Sequence, residues 1–314
     1  MQVLVDALTF TDRERFWDEW ANELGITNLS YVMSKSRYQF TFHLYAKGVN
    51  IYQAGDAGDT ADPNRMCCIE LSGTGCRLLE SLNPGFDWMS FLLRLHASPS
   101  VHISRLDIAG DETEGFLTFK RLYAYTRSRR YITRARKCKY IDGDEQEVLF
   151  GSGKSDTLLR IYNKALERGI TDGTHWTRAE FQFRNDQAGS FVANLANQQD
   201  IGKTYAGVLL NYLRYTTKAP DENNNNQRIP TASWWSDFLG TAERLTGIYA
   251  PGLEYNRERL DRNMHNYGST IKTYLAVYGG DLDKVADLAA NSVLNAGQAD
   301  FLRRLEITSS EATA

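Results

Sequence analysis

The chain has 314 residues, of which 42% are hydrophobic and 24% charged, and its formal net charge is −3. This composition is typical of a globular protein, and the length allows one large domain or two ordinary ones. No apolar run approaches the roughly 20 residues of a membrane span, which excludes an integral membrane protein. The four cysteines have no C-x-x-C spacing, so we interpret them as reduced thiols and predict a cytoplasmic protein.

The first hundred residues are predicted to mix strands and helices. In chain order, the predicted elements are a strand at 3–10, a helix opened by the capping-box spacing Thr11-Asp12-Arg13-Glu14, a hairpin over 37–53 turning near Lys47-Gly48, a strand at 66–71, and helices at 77–82 and 88–96.

The next part of the chain is predicted to be rich in strands. Its elements are strands at 103–109, 157–164 and 177–184, with a helix at 115–128 and a β-ribbon at 131–151 between the first two. A polar segment bounded by prolines, 219–232, predicts a linker. We therefore expect a first domain at 1–218 and a helical C-terminal region at 233–314.

The three strands at 103–109, 157–164 and 177–184 each have one polar and one apolar face, because successive side chains of a strand alternate. The side chains that share a polar face are Arg105, Asp107 and Asp111 on the first strand, Arg160, Tyr162 and Lys164 on the second, and Arg178, Glu180, Gln182 and Arg184 on the third. If the strands lie in one sheet, carboxylates, cations and a tyrosine share one surface.

This set of side chains fits metal-assisted phosphoryl chemistry. Carboxylates bind hard divalent cations such as Mg²⁺ through oxygen, and the cation polarises a phosphodiester. Arg160 or Lys164 is expected to lower the pKa of the Tyr162 phenol and to hold the phosphate. A solvated sheet face with cross-strand ion pairs remains the alternative.

Residues 120–139, the basic segment, contain nine Lys or Arg residues and no acid. This density of positive charge predicts sequence-independent binding to DNA phosphates. The tyrosines at 123, 125 and 131 are expected to stack on bases. A solvated basic face is the alternative. The predicted DNA contacts in the segment are Arg127, Arg129, Arg130, Arg134, Arg136 and Lys137.

The stretch Gly151-Ser152-Gly153-Lys154-Ser155 resembles the end of a phosphate-binding P-loop. Val148 stands where that motif requires glycine, and a strand pattern follows instead of a helix, so an ATP site is not predicted. We expect a tight turn in which Lys154 contacts a DNA phosphate.

Four segments in order resemble the rolling-circle replication initiators of pT181-type plasmids and related conjugative-element relaxases. They are E-L-S-G-T-G-C-R from Glu70, S-R-L-D-I-A-G-D from Ser104, F-G-S-G-K-S from Phe150 with L-R-I-Y-N-K from Leu159, and R-A-E from Arg178. The resemblance implies an α+β fold with a central, mostly antiparallel sheet and flanking helices.

The resemblance also implies a function. Family members nick one strand of origin DNA through a tyrosine that stays on the 5′ phosphate, and the free 3′ hydroxyl primes synthesis. The family's tyrosine corresponds to Tyr162. The metal ligands correspond to Asp107 and Glu180, with Asp111 as a further candidate, for Mg²⁺ or Mn²⁺. Dimerisation and a host helicase partner are also implied.

Around this centre, Arg160, Lys164 and Arg178 are expected to position the phosphate, and Arg105 to contact DNA. Two alternatives remain open. One is a conjugative relaxase with identical chemistry, and the other is a DNA-binding regulator that uses the basic segment without catalysis.

Overall fold

The computed structural model describes residues 1–36, 40–55, 66–221, 226–240 and 257–292. The chain divides into two compact units, Met1–Ile248 and Tyr249–Ala314. No helix among the described residues is long and apolar enough to cross a bilayer.

Within the described residues, the strands are β1 (Gln2–Asp12), β2 (Val32–Ser34), β3 (Phe42–Ala46), β4 (Val49–Ala54), β5 (Met66–Leu71), β6 (Val101–Glu112), β7 (Tyr131–Thr133), β8 (Cys138–Ile141), β9 (Glu147–Phe150), β10 (Thr157–Asn163), β11 (Thr177–Arg184) and β12 (Leu213–Tyr215). The helices are α1 (Trp17–Glu23), α2 (Gly73–Leu82), α3 (Trp88–Ala97), α4 (Phe119–Arg127), α5 (Lys164–Glu167), α6 (Asp186–Gln198), α7 (Ile201–Tyr212), α8 (Ser233–Leu239), α9 (Arg257–Val277) and α10 (Leu282–Ala290).

One large sheet organises the first unit. Its ten strands run in the order β2-β3-β4-β5-β1-β6-β11-β10-β9-β8, and every neighbouring pair is antiparallel. A second, two-stranded sheet pairs β7 with β12. The α+β fold with a central antiparallel sheet is thus confirmed.

The three strands singled out by their alternation are neighbours in this sheet. β11 lies between β6 and β10, and Glu180 is opposite both Arg160 and Ala109. In the same register, Arg178 is opposite both Tyr162 and Asp111. Opposite residues of an antiparallel pair share a face, so the polar side chains of all three strands form one surface.

The other face of these strands is covered by helices. Phe183 stacks on Phe191 of α6 with ring centroids 5.2 Å apart, and Phe181 packs edge-to-face on Tyr212 of α7 at 5.3 Å. Both phenylalanines are fully buried. This packing fixes which face of the sheet is the apolar core. The opposite face carries the polar side chains, of which Asp107, Tyr162 and Glu180 are themselves buried.

Gly110 is required by the same packing. A Cβ at this position would lie 2.8 Å from the ring of Tyr205, which is itself fully buried and donates its hydroxyl to the carbonyl oxygen of Ala179 at 2.6 Å. The glycine inside strand β6 therefore serves close helix–sheet approach.

Two local predictions were wrong. The strand predicted at 3–10 continues to Asp12, and the following helix begins only at Trp17. The reason is that the Asp12 carboxylate forms a turn, accepting from the backbone N–H of Glu14 at 2.9 Å and from the indole of Trp20 at 3.0 Å. In the ribbon predicted at 131–151, β8 and β9 form a hairpin, whereas β7 pairs with β12.

The division between the two units falls after Ile248 and not at the predicted linker 219–232. The physical reason is an aromatic cluster. Trp234 and Trp235 of α8 lie 5.0 and 5.1 Å from the ring of Tyr215, and Thr216 bridges Thr231. Helix α8 is thereby part of the first unit.

Replacing Gly110 with alanine is expected to destabilise the protein by about 1–3 kcal/mol, because the buried ring of Tyr205 has no room to retreat. Gly153→Ala is the matched control, since a Cβ there meets nothing within 4 Å. Urea unfolding of both variants measures the difference. Equal stability of the two variants would contradict the packing role of Gly110.

Candidate active site

A pocket of about 560 Å³ opens on the polar face of the sheet. We call it the tyrosine pocket. It crosses strands β10, β11, β6, β1, β5 and β4, and the side chains that matter for chemistry are Tyr162, Glu180, Asp107, Asp6, Arg105, Arg160 and Lys164. The sequence-predicted tyrosine and its two main acids are therefore brought together.

Tyr162 is at the centre of the hydrogen bonding in this pocket. Its hydroxyl donates to Oε2 of Glu180 at 2.8 Å, and Nζ of Lys164 donates to the same hydroxyl at 3.4 Å. The guanidinium of Arg160 lies over the tyrosine ring, 4.8 Å from its centroid. The side chain is 6% exposed, so its environment is formed by these partners and not by bulk water.

The pKa of the Tyr162 phenol is raised, contrary to the expectation that nearby cations would lower it. Burial is the largest cause, and the charge of Glu180 adds to it. Lys164 is engaged by Glu167 at 2.5 Å, and Arg160 by Glu147 at 2.7 Å. Because the phenol is held protonated, it needs a base, and Glu180 already accepts its proton in a hydrogen bond.

Lys164 reaches the pocket from a helix and not from the predicted strand. β10 ends at Asn163, whose side chain caps the four-residue helix α5 by accepting from the backbone N–H of Leu166 at 3.1 Å. The ammonium group nevertheless lies on the same side as the Tyr162 ring, 5.3 Å from its centroid.

Asp107 and Glu180 are both buried carboxylates with raised pKa values. Burial is the main cause for each, and the neighbouring acids raise the pKa further: Asp6 acts on Asp107, and Asp107 and Asp6 act on Glu180. Arg105 opposes the shift at Asp107, donating from Nε to Oδ1 at 3.0 Å and from Nη2 to Oδ2 at 2.5 Å.

Asp6 is a site residue that the sequence analysis missed. The pairing of β1 with β6 shifts register between Val5 and Ala7, and such a bulge re-aims a side chain. As a result both Asp6 and Ala7 line the tyrosine pocket. Alternation along the predicted strand 3–10 could not show that Asp6 faces the pocket, because a bulge depends on the pairing with the partner strand.

Arg178 and Asp111 are joined in an ion-pair network with Asp6, which argues against the DNA contact and the metal ligand predicted for them. Arg178 is 5% exposed and donates from Nε and Nη2 to the two carboxylate oxygens of Asp111 at 2.6 and 2.8 Å, and from Nη1 to Asp6 at 2.9 Å. A buried guanidinium with two acidic partners is not available to DNA. Asp111, unlike Asp107, does not line the tyrosine pocket.

The carboxylate oxygens of the tyrosine pocket are suited to a divalent metal ion whose remaining ligands come from the substrate. Within the described ranges, no group of three or more His, Cys, Asp or Glu side chains is arranged to hold a metal ion. Two carboxylates, Asp107 and Glu180, do line one pocket beside Asp6, and their mutual repulsion is what a cation would relieve. Mg²⁺ is commonly bound by one or two carboxylates together with substrate phosphates and water, so the residues fit a site completed by substrate.

The basic segment lies outside the tyrosine pocket, on α4, β7, β8 and the turns between them. Five of its predicted contacts are exposed: Arg127, Arg129, Arg134, Arg136 and Lys137. Arg130 is half-buried over the Tyr125 ring at 3.9 Å, and Arg134 donates to the Asn211 side chain at 3.2 Å.

The tyrosines of the basic segment do not present free faces for bases, which corrects another prediction. Tyr123 is buried and donates to the carbonyl oxygen of Ile141. Tyr125 packs against Trp234 with centroids 5.1 Å apart, and Tyr131 against Phe150 at 5.3 Å. Their periodic spacing reflects the aromatic core beneath the segment.

The predicted turn at 151–155 is confirmed as the connection between β9 and β10. Ser152 and Ser155 are joined side chain to side chain at 3.0 Å, and Arg184 donates to the carbonyl oxygens of Gly153 and Ser155, each at 2.7 Å. Lys154 is exposed on this turn. The following element is strand β10, as expected for a turn that is not a P-loop.

The first unit is thus an α+β fold whose antiparallel sheet presents a tyrosine, two buried acids and flanking cations in one pocket. Residues 101–284 match the replication initiation factor family. The chain belongs to this family.

Two relatives extend the comparison. The chain is similar to the Bacillus subtilis (strain 168) protein named "Putative DNA relaxase NicK", with 25% identity over 233 residues that cover 68% of this chain. The match spans 64% of the length of that protein. The structure of a rolling circle replication initiator protein from Geobacillus stearothermophilus superposes with a TM-score of 0.65 at 25% identity, covering 77% of this chain and 97% of that one.

Replacing Glu180 with glutamine is expected to stabilise the protein by about 1 kcal/mol at pH 8, because it removes a buried charge and keeps a hydrogen-bond acceptor for Tyr162. The raised pKa of Glu180 means that the folded state binds its proton more tightly than the unfolded state. The free energy of unfolding therefore falls as pH rises from the ordinary carboxyl pKa through the raised one.

Urea unfolding at pH 5 and pH 8 tests this expectation. The E180Q variant should lose less stability across that interval than the parent, and Glu114→Gln, at an exposed carboxylate, should behave like the parent. A lower stability of the E180Q variant at pH 8 would contradict the assignment.

Proposed function

We propose that this protein is a rolling-circle replication initiator that nicks one strand of origin DNA with Tyr162 as the nucleophile. The observation that carries the proposal is the hydrogen bond of 2.8 Å from the Tyr162 hydroxyl to Glu180, in a pocket lined by cations and a second buried acid. Membership of the replication initiation factor family supports the biological assignment.

In this proposal Tyr162 attacks the scissile phosphorus while Glu180 takes the phenol proton. A bond forms between the phenol oxygen and phosphorus, and the bond between phosphorus and the 3′ oxygen breaks. The leaving 3′ oxygen takes up a proton from water, which gives a 5′-phosphotyrosine and a 3′ hydroxyl, and Glu180 releases the phenol proton to solvent. The ester retains the energy of the phosphodiester, so the 3′ hydroxyl can reverse the step and reseal the strand.

The cationic side chains of the tyrosine pocket bind the scissile phosphate in this proposal. Nε of Arg160 donates to Glu147, and its Nη1 lies 4.0 Å from Oε1 of Glu180. Lys164 lies within hydrogen-bond distance of the nucleophile. Both offset the charge that develops on the phosphoryl oxygens, while Arg105 holds Asp107 in place.

A divalent cation, Mg²⁺ or Mn²⁺, is proposed as the cofactor. Asp107 and Glu180 would hold it, with Asp6 close by. When bound, it would polarise a phosphoryl oxygen and neutralise charge in the transition state.

We further propose that the exposed cations of the basic segment, with Lys154, grip the DNA backbone away from the nick. The family resemblance supports a homodimer and a host helicase as partners.

A conjugative relaxase with the same chemistry is the second candidate function, and the similarity to the Bacillus subtilis protein favours it. A regulator without catalysis is the third, and it would make no use of Tyr162.

Tyr162→Phe is expected to abolish a covalent protein–DNA adduct and to leave DNA binding within about twofold of the parent, because only the attacking oxygen is lost. The protein is mixed with supercoiled or single-stranded DNA from the region around its own gene and Mg²⁺ or Mn²⁺, and adducts are counted on a denaturing gel. Tyr45→Phe, at an exposed tyrosine, is the control and should retain the adduct. Adduct formation by the Tyr162→Phe variant would refute the proposed nucleophile.

Neutralising Arg136 and Lys137 together to glutamine is expected to weaken DNA binding for all sequences. It should also lower the slope of log K against log salt by about 2, because each of the two cations pairs with one phosphate. Fluorescence anisotropy over a salt series measures the slope. Arg94→Gln, an exposed arginine on α3, should leave it unchanged. An unchanged slope in the double variant would remove the basic segment from the DNA interface.

A further inference from the structure

A second cavity, of about 470 Å³, lies on the other side of helix α5 from the tyrosine pocket. Lys164 and Glu167 of this helix line the tyrosine pocket, whereas Ala165 and Leu166 line the second cavity. Helix α5, which is about one turn long, therefore separates the tyrosine pocket from the second cavity. Asn163 lines the second cavity as well, one residue from the proposed nucleophile.

The chemistry of the second cavity differs from that of its neighbour. Its lining contains no Asp or Glu, whereas the tyrosine pocket has five such side chains: Asp6, Glu70, Asp107, Glu167 and Glu180. Lys120 and His175 supply the ionisable side chains. Aromatic and aliphatic surface comes from Phe119, Leu166, Ile170 and Trp176. This combination suits a flat, partly apolar ligand that carries negative charge.

One polar group of the lining has no use within the described part of the chain. The indole N–H of Trp176 is buried and has no hydrogen-bond partner there. The nitrogen has almost no solvent-accessible surface, so a ligand in the second cavity meets the indole ring and not its N–H group.

The walls of the second cavity are held in place independently of any ligand. Nδ2 of Asn163 donates to Oε1 of Gln146 at 2.9 Å, and Nε2 of His175 lies 2.8 Å from Oε2 of the buried Glu112. The carbonyl oxygen of Trp176 accepts from the backbone N–H of Lys164 at 2.8 Å. This last bond ties the second cavity to the start of helix α5, which separates it from the nucleophile.

We propose that the second cavity receives an unpaired nucleobase of the DNA strand that is cut, which anchors that strand next to Tyr162. The inference rests on the proposed nicking function for its biological meaning, but base binding itself is tested separately. Aromatic side chains stack on the bases of single-stranded DNA in many proteins, and the second cavity is lined by Phe119 and Trp176. Because no Asp or Glu lines the second cavity, the phosphates of the bound strand can approach Lys120 without repulsion.

The test uses photocrosslinking of mixed-sequence single-stranded 16-mers that contain 5-iododeoxyuridine, with crosslinked peptides located by mass spectrometry. We expect crosslinks in the segment 171–177, which includes Trp176. Thr171 is exposed and lines the second cavity, so Thr171→Glu should fold normally while placing a carboxylate in the acid-free lining. Its crosslink yield should drop about tenfold, and that of the uncharged, equally long Thr171→Gln should not.

Three results would overturn the proposal: crosslinks confined to the basic segment, equal yields from the Thr171→Glu and Thr171→Gln variants, or full competition by free deoxynucleoside monophosphates at equal nucleotide concentration. The last result would mark a free-nucleotide site. The Tyr162→Phe variant separates this idea from the nicking proposal. It should crosslink like the parent, so a protein that crosslinks at 171–177 but never forms an adduct would retain the base site and lose the nicking function.

Discussion

The register between β10 and β11 is the constraint on which the site depends. It sets Arg160 opposite Glu180 and Tyr162 opposite Arg178, which leaves the tyrosine hydroxyl within 2.8 Å of the Glu180 carboxylate. A slip by one residue would turn every polar side chain of β10 into the helix-covered core. The stacked phenylalanines of β11 and the helices above them oppose such a slip, so the hydrophobic core maintains the geometry of the polar face.

The tyrosine pocket concentrates charge that folding alone would not favour. Asp107 and Glu180 are buried with raised pKa values, and Asp6 adds to the repulsion. Three cationic side chains balance the acids: Arg105 holds Asp107, Arg160 approaches Glu180, and Arg178 is held between Asp6 and Asp111. Functional sites are where stability is given up in this way. The proposed divalent cation would offset the remaining repulsion between these acids.

Family membership and geometry support each other at different levels. The family assignment rests on residues 101–284 and defines the class of protein. The geometry shows that Tyr162 combines a proton acceptor, two nearby cations and a pocket. Tyr123, Tyr125 and Tyr131 looked suited to DNA contact by their basic surroundings, yet each packs or hydrogen-bonds inside the protein.

Sequence alone determined the two-faced pattern of the three strands, the hairpin turn at Lys47-Gly48 and the shared polar face of Tyr162 and Glu180, because alternation is a local property of an extended chain. The expectation that all three strands are half-buried was wrong for β11, in which seven of the eight residues are buried. Only the tertiary structure decided what depends on contacts between distant segments. The bulge opposite β6 brings Asp6 into the pocket. Arg178 became a buried structural cation because two acids from other strands surround it, and the same Trp–Tyr cluster that joins α8 to the first unit shifted the boundary past the polar linker. No periodicity along a single segment records which partners it will meet.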